Sequence, residues 1–355
     1  MVGRWQHLWL RLEFGHADWV TWALPSHKVR TLPLNVWTES TVPEELNNDL
    51  ISELGRSLGE RFSKLETMVL DTQHVATEGA IWAHPHRRRG SDQILQHLAR
   101  NEWRRLAASG GPMPTFDEVQ FRYFSQNGED GIIWYLLSLI GDGTKRVVEI
   151  CAGDGIECCS ANLVINHGWQ ALLFEGNSEL VARGQNFYQH CGDAWYFQPR
   201  FVNGWITPDN VSAHLAEHEF DHDVDVVIID MDGNDYWMWN ALTLEPKLFV
   251  VEVNETLGSE ICVTIPYDPD FQLPNNSNHR SASLRAFAEL ASRRGYRLVG
   301  TERYNFNAFF LRNDCVPDLI PEASVESCLN HPKLREAHVL ESREATLSED
   351  EWLEC

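Results

Sequence analysis

The chain has 355 residues, 43% of them hydrophobic, with 29 Lys and Arg against 52 Asp and Glu for a formal net charge of −23. That length and apolar content suffice for a folded core in one large domain or two smaller ones, and no run of 18 apolar residues is present to cross a membrane. Residues 1–110 balance 13 basic against 13 acidic side chains, so the whole net charge falls in 111–355, where it repels polyanions and argues against nucleic acid as a partner.

The start, MVGRWQHLWLRLEF, carries charges inside its apolar stretch and has no small-residue cleavage site, so it does not read as a secretory leader, and the expected compartment is the cytoplasm. Residues 1–40 show no clear period. From Thr41 the pattern changes: Leu46, Leu50, Leu54, Leu58, Phe62, Leu65 and Val69 recur at steps of three or four, which predicts a helix with one apolar stripe, and Thr41 with Glu44 forms a capping box. The stripe faces either the core or a partner, which makes a homodimer through the N-terminal helices one expectation. Basic clusters at 83–89 and 100–105 read as solvated helix faces, and GGPMP at 110–114 reads as a linker. The expected organisation is a mainly helical region over 1–112, an α/β domain over 113–319 and a peripheral acidic tail over 320–355. The eight cysteines lack CxxC spacing, and adjacent Cys158 and Cys159 have poor geometry for a disulfide, so all read as reduced thiols.

Beyond the linker, strand-like RVVEI, ALLFEG, AWYFQPRFV, DVVIID and LFVVEVN alternate with helix-like SANLVINHG, SELVARGQNF, VSAHLAEHEF and YWMWNAL. This alternation predicts a parallel α/β sheet. A polar loop over 255–280 follows, then the helix SASLRAFAELASRRG and two strands, YRLVGTERY and NAFFLRND, with only Asn305 and Phe306 between them. Strands that close must pair antiparallel. The predicted fold is therefore a Rossmann-like sheet of the class I methyltransferase type, with parallel strands and a terminal antiparallel hairpin.

The turn in VVEICAGDGIECC brings Gly153 and Gly155 to the carboxyl end of the first strand, where an α/β sheet binds its ligand. A nicotinamide or flavin fingerprint places a third small residue where Cys158 stands. The alternative frame, Glu149, Cys151, Gly153, Gly155, is the form used for S-adenosylmethionine, and Glu175, 20 residues after Gly155, is placed to accept hydrogen bonds from ribose hydroxyls. Cys151 replaces a usual glycine, which is tolerable at negative φ, and it reads as an inert space-filling residue.

SQNGEDG (125–131), VVEICAGDG (147–155), LLFEGN (172–177), FVNGWITPDNV (201–211), IIDMDGNDYW (228–237), VVEVN (250–254) and NAFFLRND (307–314) resemble, in this order, the FkbM-like S-adenosylmethionine-dependent methyltransferases. The resemblance covers roughly residues 120–315. It implies S-adenosylmethionine as methyl donor and a role in tailoring small molecules or glycans. It also implies that Glu149, Gly153 and Gly155 line the methionine end, that Glu175 meets the ribose, that Gln126 and Glu129 lie near the cofactor and that Asn203 lies near the adenine.

Methyl transfer to a protonated acceptor needs placement and a base. Asp230, Asp232 and Asp235 follow the fourth strand and Glu252 and Asn254 end the fifth, with His279 ahead of the next helix. Asp230 is assigned to the cofactor side, and Asp232, Asp235 and His279 are the catalytic candidates. Asp232, Glu252 and Asn254 also resemble the oxygen donor set with which some class I methyltransferases hold a divalent metal such as Mg²⁺. The expected activity is methylation of a hydroxyl, carboxyl or amine of a small-molecule acceptor, contacted by the 255–280 loop and the N-terminal region. The alternatives are a binding or scaffold protein on the same fold and an NAD-dependent oxidoreductase.

Overall fold

The computed structural model describes residues 19–23, 29–33, 85–274, 277–349 and 351–355. The chain divides into two units, Met1–Pro85 and His86–Cys355. In the first, β1 (Trp19–Ala23) and β2 (Val29–Pro33) form an antiparallel ribbon that sequence periodicity does not reveal. The apolar stripe from Leu46 to Val69, and with it the dimer expectation, lies outside the described residues.

The second unit opens with α1 (Pro85–Ser109), which stops at Gly110 with φ +66°, followed by α2 (Phe116–Val119) and α3 (Glu129–Ile140). The sheet then alternates with helices: β3 (Arg146–Ile150), α4 (Ala161–His167), β4 (Gln170–Glu175), α5 (Ser178–His190), β5 (Arg200–Asn203), α6 (Val211–Glu217), β6 (Val226–Ile229), α7 (Asp235–Ala241) and β7 (Leu248–Glu252). A short strand β8 (Val263–Thr264) and α8 (Leu284–Arg293) precede the hairpin of β9 (Tyr296–Thr301) and β10 (Asn307–Arg312). The last elements are α9 (Val325–Cys328), α10 (Ala337–Glu349) and β11 (Leu353–Glu354).

Seven strands make one sheet in the order β5-β4-β3-β6-β7-β10-β9. The first five are parallel, and β10 runs antiparallel to both β7 and β9. This is the expected arrangement. Continuous apolar runs form the central strands because helices cover both faces: Val226, Val227, Ile228 and Ile229 of β6 have no exposed surface. Trp239 of α7 ties helix to sheet, its ring lying 4.6 Å from Phe249 and 4.9 Å from Phe310. Local signals set the helix starts: Asn177 Oδ1 accepts from the Glu179 amide to cap α5, and Ser283 Oγ accepts from the Ala286 amide to cap α8.

Two expectations fail. In AWYFQPRFV only Arg200–Asn203 is strand; Trp195, Tyr196 and Phe197 are exposed and pack on one another, so their high β propensity is overridden by the lack of a neighbour to pair with. The segment after Ile320 is not peripheral. Val325, Cys328, Leu334 and Val339 are buried, and β11 pairs with β8, which joins the acidic segment to the loop after β7.

Candidate functional site

The site forms at the carboxyl ends of β3, β4, β6 and β7, where the chain leaves the sheet in strained turns. After β3, Cys151, Gly153 and Gly155 all have positive φ, at +63°, +58° and +67°. The expected negative φ at Cys151 is thus wrong: the left-handed backbone that makes glycine usual there is kept, and cysteine bears its steric cost. Gly153 has open space where a Cβ would stand, whereas a Cβ on Gly155 would lie 2.7 Å from Leu173 Cδ1 and 2.9 Å from Phe201 Cζ. Gly153 therefore faces the cleft and Gly155 lets the turn settle on the sheet.

Carboxylates hold this turn. Glu175 accepts from the Gly153 amide (2.9 Å) and the Asn177 amide (2.7 Å), while Glu149 accepts from the amides of Cys159 and Ser160, both at 2.9 Å. Burial pushes the Glu149 carboxyl above its usual range. Glu129 does the same for the preceding loop, accepting from the amides of Asn127 and Gly128 and from Asn307 Nδ2. Its neighbour Asp130 accepts three backbone amides, of Tyr123, Phe124 and Ser125, and burial nevertheless raises its pKa to about 6.

Three cavities adjoin here, and Asp230 lines all of them. The largest, 750 Å³, is walled by Cys151, Glu175, Trp205, Asp232 and Phe271. A second, of 620 Å³, is lined by Arg122, Gln126, Asp232, Glu252, Arg280 and Asn307. The third, of 170 Å³, lies between Gln126, Glu129, Glu149, Gly153 and Asn307. The loop after β7 covers the first: Trp205 Nε1 donates to the Pro269 carbonyl (2.6 Å), Asn234 Nδ2 donates to the Asp268 carbonyl (2.7 Å), and Phe271 sits where a Cβ on Gly233 would be, 2.3 Å from its Cδ1.

The sequence candidates separate accordingly. Gln126, Glu129, Glu149, Gly153, Glu175, Asp230, Asp232 and Glu252 come together around these cavities. Asn203 serves the wall instead, its Nδ2 donating to the carbonyls of Glu175 and Gly176. Asp235 is fully buried and accepts from the amides of Met231 and Gly233, so it shapes the turn that presents Asp232. His279 is turned to the C-terminal segment: its Nε2 lies 2.8 Å from the Glu351 carbonyl and its ring 4.8 Å from that of Trp352. Its neighbour Arg280 enters the site, donating to both Glu252 and Glu255. Arg280, Asn307, Trp205 and Phe271 are functional-wall residues that sequence reasoning did not single out. Asn307 opens the NAFFLRND stretch and Arg280 directly follows His279.

Half-buried Asp230 and buried Glu252 form an acid pair. Burial, with Asp235, Asp232 and Glu149 nearby, raises the Asp230 pKa to about 7, and a hydrogen bond with Glu252 partly offsets this. Glu252 is also pushed up, by burial and by Asp230, against the pull of Arg280. Asp230 therefore gives up its proton near pH 7, and above that the pair is free to take one.

The donor set does not fit a divalent metal. The Arg280 guanidinium already stands against Glu252, where a cation would compete with it. Asn254 is fully buried, its Nδ2 donating to the carbonyls of Asn278 and Arg280 and its Oδ1 accepting from Thr256, so both ends of the amide are engaged by the surrounding loop. Among the described residues no group of three His, Cys, Asp or Glu side chains is spaced to hold an ion. The metal assignment of Asp232, Glu252 and Asn254 is corrected accordingly.

S-adenosylmethionine does fit. The strained turn leaves room above Gly153, Glu175 stands at the end of β4 beside the 750 Å³ cavity, and the carboxylates of Glu149, Glu129 and Asp230 around the 170 Å³ cavity suit a positively charged sulfonium.

Strand order, terminal hairpin and the cleft at the switch between β3 and β6 define a Rossmann-like fold of the class I methyltransferase type. No known family profile and no curated protein matches the chain. Among solved structures, the chain is similar to a glycopeptide N-methyltransferase, MtfA, complexed with S-adenosylhomocysteine (16% identity, 56% of this chain and 98% of that one, TM-score 0.34). It is also similar to a putative caffeoyl-CoA O-methyltransferase from Staphylococcus aureus (15% identity, 62% and 95%, TM-score 0.38) and an RNA methyltransferase from Salinibacter ruber (15% identity, 54% and 96%, TM-score 0.30).

Proposed function

We propose that this chain is an S-adenosylmethionine-dependent methyltransferase, FkbM-like in its motifs, acting on a small-molecule acceptor in natural-product or glycan tailoring in the cytoplasm. The observation that carries the reading is the left-handed turn Cys151–Gly155, held by Glu149 and Glu175 beside cavities that all meet at Asp230. When bound, the cofactor supplies an electrophilic methyl group on a positively charged sulfur. Glu175 offers its carboxylate to the ribose, Trp205 and Phe271 exclude water from the adenosine side, and the Asp230/Glu252 pair takes the acceptor's proton. Arg280 holds Glu252 in place for that transfer.

A dinucleotide fits poorly. Its pyrophosphate requires free amides at the first helix N-terminus, and here the amides of Cys159 and Ser160 are given to Glu149. The net charge of 111–355 likewise favours a small acceptor over nucleic acid. Calorimetry with S-adenosylmethionine, S-adenosylhomocysteine and NAD tests the reading: the first two are expected to bind and NAD not. Binding of NAD alone, or of none of the three, would refute it. A scaffold that has lost turnover would bind S-adenosylhomocysteine yet release none from any acceptor. Light scattering on the full chain checks whether it is a homodimer.

A further inference from the structure

In the 620 Å³ cavity beside Asp230 the carboxyls outnumber the cations, and both lining arginines are already paired. Asp230, Asp232 and Glu252 place three carboxyls on it, while the one deep cation, Arg280, is spent on Glu252 and Glu255. Arg122, at the rim, is paired with Glu157 at 3.0 Å. A separate observation points the same way. Asn307 lines the cavity, is 5% exposed and stands directly across from Glu252 in the β10–β7 register. Its Nδ2 donates to Glu129 Oε1 at 3.1 Å. A carboxylate that only accepts thereby fixes which way the amide is turned. Asn307 Oδ1 is left buried with no donor, a costly state that a ligand's N–H would relieve.

We infer that the acceptor's reacting group is an amine that enters this cavity as its ammonium ion, held by Asp230, Asp232 and the carbonyl of Asn307. This rests on the methyltransferase reading and narrows it. An ammonium brings up to three donors and a positive charge to a wall whose three carboxyls outnumber its two arginines, both already paired. A hydroxyl brings one donor and no charge, and a carboxylate acceptor would add a fourth negative group. The proton balance closes within the site: the ammonium gives one proton to the Asp230 carboxylate, which shares it with Glu252, and the nitrogen keeps the electron pair as a neutral amine. No further reactant is consumed in that step.

The test uses the full chain with S-adenosylhomocysteine bound and three probes that share one ring: benzylamine, benzyl alcohol and benzoate, followed by ligand-observed NMR titration. Benzylamine is expected to bind about tenfold or more tighter than benzyl alcohol, the scale of a hydrogen bond to a charged group, and benzoate not to bind. Asp232→Asn, which keeps a residue type suited to its φ of +55°, is expected to weaken benzylamine about fivefold or more and leave benzyl alcohol unchanged. Equal binding of amine and alcohol, no binding of the amine, or no effect of Asp232→Asn on it overturns the inference while the methyltransferase reading stands. Failure of S-adenosylhomocysteine itself to bind overturns both.

Discussion

Replacing Cys151 by glycine should make the protein more stable, the reverse of what most substitutions beside a ligand cleft do. Cys151 has φ +63°, and the left-handed region costs an L-residue about 1–2 kcal/mol because its Cβ crowds the following carbonyl. Glycine escapes that cost but loses about 0.5–1 kcal/mol through the greater freedom of its unfolded chain. Cys151 is exposed to the cleft, so little packing is lost with its side chain. The net gain for Cys151→Gly is therefore about 0.5–1 kcal/mol, or a rise in Tm of about 1–4 °C for a domain of this size. Cys151→Ala keeps the Cβ and so keeps the strain; it should show no gain. Thermal and urea unfolding of the three proteins decides the matter. Loss of stability in the glycine variant, or an equal gain in the alanine variant, would refute the strain argument. Turnover should survive both changes, because desolvation on the cleft floor and the carboxylates of Asp235, Glu175, Asp230 and Asp232 push the thiol above its ordinary range and leave it a poor nucleophile.

Glu175→Ala should weaken S-adenosylhomocysteine binding by about 1.5–3 kcal/mol in calorimetry, the value of hydrogen bonds to a charged group, since it removes both the ribose partner and the acceptor for the Gly153 amide. Exhaustive EDTA treatment should leave turnover and cofactor binding unchanged, because Arg280 already occupies Glu252; a loss restored by Mg²⁺ would reinstate the metal. The pH responses of activity and stability should run in opposite directions. Asp230 is raised from its ordinary 3.8 to about 7, so kcat/KM should climb as pH passes about 7 and the base ionises. The folded state binds this proton more tightly than the unfolded chain, so its contribution to stability is complete below about 4 and is lost as pH rises through about 7. Asp230→Asn should flatten both profiles in paired pH–rate and pH–melting series.

The sheet was legible because its signals are local and redundant. RVVEI and DVVIID are too apolar for a half-exposed strand, and two residues between YRLVGTERY and NAFFLRND leave room only for a hairpin. The same reasoning overextended AWYFQP, where aromatic β propensity has no partner strand to satisfy it. It also left unread β1, β2 and the pairing of β11 with β8, which depend on chain segments meeting in space. In the site, residue types were easier to find than their directions. Choosing His279 over Arg280 followed chemical habit: imidazole is the usual base. One step along the chain, however, decides which side chain meets Trp352 and which meets Glu252.

The acids of the cleft divide by what their oxygens already accept. Glu149, Glu175, Glu129 and Asp235 each take two backbone amides, and together they hold three turns, two of which contain non-glycine residues at positive φ, Cys151 and Asp232. Such turns are expensive, and a charge-assisted hydrogen bond of about 1.5–3 kcal/mol is of the size needed to keep them. An acid so engaged is committed to the backbone amides it secures, because protonation would release the turn. Asp230, Asp232 and Glu252 are different: all three line the 620 Å³ cavity, and among the described residues the one backbone amide given to their side chains is that of Asp232 to Glu252. A sequence displays all seven acids alike as carboxylates in or beside the motifs of the cleft. The structure separates four that build the cleft from three that are left to act in it, and it is those three, with the carbonyl of Asn307, that set the charge an acceptor must bring.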